Sequence, residues 1–90
     1  MPQNYGEAAK WIRLSAEQGD AEAQFNLGRM YFEGLGVAQD WVLALMWTHL
    51  AAAQGHEAAI QVQEVLKERL RDDQLAEAQR LAREWKPKGK

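Results

Sequence analysis

"AEQGDAEAQFNLGRMYFEGLGVAQD", residues 16–40, carries four of the chain's seven glycines, and their placement decides how the rest is read. Gly19 falls between two helix-forming stretches and is followed at once by Asp20, a good helix N-cap. The pair reads as a stop and an immediate start, so the two helices must fold back on one another. Gly34 ends the second stretch and Gly36 opens a loop. Gly28 is the exception, because it sits inside a helix, where glycine costs about 0.5–1 kcal/mol relative to alanine. Close approach offsets that cost: a bulky residue of a neighbouring helix is expected against the bare backbone.

The pattern recurs. Sliding the sequence by thirty-six residues matches Gln3 with Gln39, Ala8 with Ala44, Trp11 with Trp47 and Leu14 with Leu50. It also matches Ala16 with Ala52, Gln18 with Gln54, Gly19 with Gly55 and Ala23 with Ala59. Asn4 and Tyr5 have the chemical neighbours Asp40 and Trp41 at the same offset. Helical repeats of this length stack so that each buries the next one's apolar face.

Start and stop signals then place five helices. Asn4 caps the first, with Glu7 three positions on, and it runs to about Gln18. The second runs from Ala21 to Glu33, with Glu22 near its positive end. Asp40 caps a third from Trp41 to about Gln54, Gly55-His56 repeats the stop and start, and a fourth occupies 57–70. Asp72-Asp73 opens a fifth, which ends before Pro87. Nothing in the chain reads as a strand. The composition agrees: hydrophobic residues make up 47% of ninety residues, and helix formers dominate.

These features resemble one complete Sel-one-like repeat (SLR), a relative of the tetratricopeptide repeat, at residues 21–56. Leu27-Gly28 with Tyr31 follows the L-G-x-x-Y pattern of a tetratricopeptide first helix. Ala44 and Ala51 fall where its second helix has small packing residues, and the "GLGVAQD" loop and "AAAQG" ending are similar to the SLR branch. Gly19, Leu27, Gly28, Tyr31, Gly34, Gly36, Ala44, Trp47, Ala51 and Gly55 are thus the structural repeat positions.

The resemblance implies an all-α solenoid of antiparallel helix pairs, a tetratricopeptide-like right-handed superhelix, in a single domain. Within it, 5–18 is the second helix of a partial repeat, 57–86 are C-terminal capping helices and 87–90 a solvated tail. Gln63, Glu64 and Lys67 replace the Leu-Gly and Tyr of the motif in the fourth helix, which suits a polar cap. The first helix is left with an outer face, including Tyr5, Ile12 and Trp11, short of a partner. That expects either earlier parts of an array or contact with a second copy.

The function implied is non-catalytic: an adaptor that binds a protein or peptide on its concave face. Carried over by position, the partner-binding stripe is Glu22, Phe25, Asn26, Arg29 and Glu33. Arg29, with Phe25 four residues before it, is suited to a carboxylate with an aromatic beside it. Trp11 and Trp47 recur at the repeat spacing and are read as packing, as are Ser15 and Thr48. The alternatives are a structural cap of a longer array and, with least support, a small hydrolase.

No cofactor, metal or catalytic residue is expected. "HEAAI" at 56–60 begins like H-E-x-x-H but places Ile60 where the second histidine belongs, and His49 lies across the Gly55 break. "GLGVAQ" lacks the third glycine of a dinucleotide loop. With no cysteine, disulfides and thiolate sites are excluded, as is analogy with the cysteine-rich SLR branch associated with β-lactamase-like activity. A net charge of -2 gives no reason to expect nucleic acid, and no apolar run is long enough for membrane insertion. The lack of cysteine and of a signal peptide slightly favours the cytoplasm.

Overall fold

The computed structural model describes residues 4–88; Gln3 of the repeat pairing, and Gly89 and Lys90 of the tail, lie outside the described residues. Within them the chain forms α1 (Tyr5–Glu17), α2 (Ala21–Glu33), α3 (Trp41–Ala53), α4 (Glu57–Arg69) and α5 (Asp72–Glu84), with no strand. The all-α reading of the sequence holds.

Helix ends follow local chemistry. Asn4 accepts the Glu7 N–H at 3.0 Å and Asp40 that of Leu43 at 3.1 Å, so both expected caps form. Asp20 differs: its backbone is extended, as an N-cap requires, but its carboxylate makes no capping bond. At the equivalent corner His56 takes that role, its Nδ1 accepting the Ala59 N–H at 3.1 Å. Gly19, Gly34 and Gly55 close α1, α2 and α3 with positive φ, as read from the sequence.

The centre of the molecule is α3, "WVLALMWTHLAAA", which carries no Asp, Glu, Lys or Arg. It packs on α2, α4 and α5, and it buries Ala44 to Thr48 together with Ala51 and Ala52. Leu27 of α2 and Leu45 of α3 are fully buried, each contributing about 1.5–3 kcal/mol. A polar clasp joins the two Gly corners. Buried Gln24 donates to the Ala16 carbonyl, while Gln54 donates to Gln24 and to the Gly19 carbonyl at 2.9 Å each. Gln24 would be costly to bury without these partners.

Two glycines set the helix spacing. At Gly28 a Cβ would lie 3.0 Å from the Ala44 carbonyl oxygen and closer still to the Thr48 hydroxyl. The expected close approach is there, but the bulky neighbour is not: α2 meets the backbone and small side chains of α3. Gly36 does more than turn the loop. Its φ is +74, and a Cβ there would run into the Tyr5 carbonyl, so the loop is laid directly on the start of α1.

α5 packs on α3 and only weakly on α4. The sequence explains why. Position 64, equivalent to Gly28, holds an exposed Glu, so no helix can approach α4 as closely as α3 approaches α2. Extended Leu70 and Arg71 carry the chain away, and α5 seats small Ala78 and Ala82 against the core. Trp85 meets Trp47 edge-on, with ring centroids 6.0 Å apart. The tail is not simply solvated: the Lys88 N–H donates to the Glu17 carbonyl at 2.7 Å, and its ammonium lies 3.4 Å from the Glu17 carboxylate.

The face of α1 also differs in part from expectation. Trp11 is 64% exposed where Trp47 is buried, and Leu14 and Tyr5 are exposed as well. Ile12, by contrast, turns inward onto the core cluster of Leu27 and Trp47. Ser15 is exposed, whereas Thr48 is buried, so only the threonine occupies a packing position.

Candidate functional site

The α2 stripe divides into two neighbourhoods. Toward the second corner, the Glu22 carboxylate lies 2.8 Å from His56 Nε2, and Phe25 stacks on the His56 ring with centroids 4.7 Å apart. Phe25 also packs on the buried alanines Ala51, Ala52 and Ala59. Because His56 Nδ1 accepts from the backbone, its proton sits on Nε2 and points at Glu22. Glu22 and Phe25 are therefore engaged with the start of α4.

Asn26, Arg29 and Glu33 lie on the other side, where they line an open groove of about 420 Å³ between α1 and α2. Asn4, Tyr5, Ala8 and Ile12 of the α1 side face them, with Met30 and Leu35 completing the lining. The groove has apolar walls and a polar rim, the usual make-up of a recognition surface. Arg29 makes no ion pair or side-chain hydrogen bond among the described residues, and it is exposed. Phe25 does not line this groove, so the aromatic ring offered beside Arg29 here is that of Tyr5.

Arg29 also borders a second, smaller groove between α2 and α4, with Phe32, Thr48, Val62, Val65, Leu66 and Arg69. A third lies over the loop, where Arg13 donates to the Tyr31 hydroxyl at 2.8 Å. Sequence reasoning missed Tyr5, Ala8 and Ile12 as a groove wall. The signal was present, since the repeat offset pairs them with Trp41, Ala44 and Thr48. His49 lies 3.1 Å from Gln63, and His56 caps α4 as described. Among the described residues no three metal-ligating side chains gather, and no helix is long and apolar enough to cross a membrane.

With this geometry in hand, the likeness to known proteins is specific. The family model described as Sel1 repeat matches residues 1–20 and 21–56. Chitin synthase regulatory factor 3 of Schizosaccharomyces pombe is 37% identical over 79 residues, 88% of this chain and 8% of that protein. A putative sel1-like repeat-containing protein of Acanthamoeba polyphaga mimivirus is 35% identical over 46 residues, 51% of this chain and again 8% of the other. Among solved structures, c5321, a protective antigen present in uropathogenic Escherichia coli strains displaying an SLR fold, matches with a TM-score of 0.88 and 32% identity. That match covers 91% of this chain and 18% of the antigen. The chain thus spans 8% of the length of each of these curated relatives.

Proposed function

The chain belongs to the Sel1 repeat family, and from that premise we propose that it is a non-catalytic module holding a protein segment in the groove between α1 and α2. Sel1 repeat proteins generally mediate protein–protein interaction. The observation that carries the reading is Arg29, exposed and without an ion-pair partner among the described residues, at the rim of a groove with Tyr5 and Ile12 in its walls. A guanidinium placed so can take a carboxylate from a partner, with Asn26 beside it for a backbone group. The relative in Schizosaccharomyces pombe is named as a regulatory factor, which suits a binding role. The test is affinity capture with the wild-type chain and with Arg29→Glu. A specific partner retained by the first should bind the variant at least tenfold more weakly, at unchanged melting temperature. Equal capture by both would remove Arg29 from the site.

A second reading, a structural cap, is favoured by one observation: α5 covers Trp47 and the tail ties back to Glu17. A cap should stabilise an upstream repeat fused to it and capture nothing.

A further inference from the structure

α2 and α4 both pack on α3 and have little direct contact with each other, which leaves an open cleft of about 230 Å³ between them. Its floor is Gly28 against the buried Thr48. Phe32 and Val62 form the sides, and both pack on the core cluster of Leu45 and Leu66, so the cleft is held in shape. Val65 stands at its edge and is 49% exposed. Stacking of further repeats does not account for that exposure. Position 65 is the repeat counterpart of position 29. Val65 stays exposed with the preceding helix α2 beside it, and Arg29 stays exposed with the following helix α4 beside it. A repeat packed on either side therefore leaves this position open, and the cleft is complete within α2, α3 and α4.

Charge then points to the occupant. Arg29 of α2 and Arg69 of α4 both line the cleft, and both are exposed. Neither makes an ion pair or a side-chain hydrogen bond among the described residues, whereas Arg71 and Arg80 lie beside carboxylates. No acid lines the cleft, and Glu64 on α4 is paired with Lys67. Two guanidiniums on an apolar cleft, in a chain of net charge -2, complement an anion with an apolar part. Size decides what kind of anion. Pockets for free small molecules run to about 300–1,000 Å³, so this smaller one holds a single large side chain of something bigger. We propose that the cleft binds an acidic segment of a partner protein, which buries one leucine-sized side chain against Phe32, Val62 and Val65 and sets flanking carboxylates on Arg29 and Arg69. The proposal rests on the interaction reading above only in taking the chain as a binding module. Of the residues lining the groove between α1 and α2, Arg29 alone also lines this cleft, so the two surfaces are separable.

The probe is a blocked, unlabelled pentapeptide with one leucine between two pairs of glutamates, titrated into the methyl-labelled whole chain and followed by NMR. Saturable shifts are expected at the methyl groups of Val62, Val65 and Leu66. Replacing the peptide's leucine by alanine should weaken binding about five- to tenfold, through the lost apolar burial. Arg69→Gln in the protein should weaken it about two- to fivefold, as for an exposed ion pair. Arg69 is exposed, so that variant retains the fold, and Arg83→Gln on α5 makes the same change of net charge away from the cleft and should bind as wild type. Absence of saturable shifts at those methyls overturns the proposal, as does equal weakening by Arg83→Gln. Equal binding of the alanine peptide, or of one with lysines in place of the glutamates, overturns it too. If Arg29-dependent capture of a partner persists while Arg69→Gln leaves that capture unchanged, the interaction reading stands and its ligand lies in the groove between α1 and α2 instead.

Discussion

α1 and α3 are copies of each other in sequence, yet they live in different surroundings. Trp47 is 7% exposed, in a cluster with Ala23 and Leu27 of α2 and Ala82 of α5, and Trp85 covers its edge. Trp11 occupies the same place in the repeat and is 64% exposed. Among the described residues no helix stands before α1 as α2 stands before α3. What a repeat residue does is therefore set by the neighbour its position calls for, and the same tryptophan is core in one copy and open surface in the other.

The largest test of this contrast is to truncate both tryptophans. Trp47→Ala should cost about 3–5 kcal/mol, the range for deleting a buried aromatic. Trp11→Ala should change stability by no more than about 0.5 kcal/mol. Denaturant midpoints measured side by side decide it, and equal losses would mean that Trp11 is covered in solution.

The second contrast is between Gly28 and Glu64. Gly28→Leu should destabilise by about 1–3 kcal/mol, because the backbones of α2 and α3 cannot part without emptying the core around Leu27. Glu64→Leu at the equivalent place should be close to neutral, since Glu64 is exposed and loses only a surface ion pair with Lys67. A thermal melt in which Glu64→Leu lost as much as Gly28→Leu would show that α5 leans on α4 after all.

The smallest effect concerns the start of α5. The Arg71 guanidinium, by hydrogen bond and charge, holds the Asp73 carboxyl below the usual carboxylate range. A group whose folded value is lowered contributes stability that is present above the unfolded value and lost as pH falls through the folded one. Arg71→Ala should therefore lower the melting temperature slightly at neutral pH, with the difference closing as the solution is acidified. A difference that persists unchanged in acid would assign the Arg71 effect to packing rather than to charge.

The frame of the molecule was legible because repeats print their register twice. Gly19 and Gly55, Ala16 and Ala52, and Asn4 and Asp40 mark helix ends through local chemistry alone, and the structure keeps those ends. Gly28 advertised a close approach, although not what approached. The seat of α5 was harder to read, since it depends on a distant helix, and the one clue was a glutamate where a glycine was needed. The candidate groove was half visible: Asn26, Arg29 and Glu33 came from the positions that the repeat resemblance implies. Its other wall came from α1, whose contribution depends on how the Gly36 loop lies on Tyr5.

The bond from Lys88 back to Glu17 has a kinetic consequence. In an open array each unit touches only its neighbours, so an end can fray without disturbing the far side. Here the last described residue is tied to the first helix, and the contact spans nearly the whole chain. Such distant closure adds a long-range contact and couples the opening of the two ends. Amides of α1 and α5 should then exchange with solvent at one common free energy, and removing residues 86–90 should let α1 exchange ahead of the rest. If α1 already exchanges faster in the intact chain, the tail is a passenger and the array frays from its first helix.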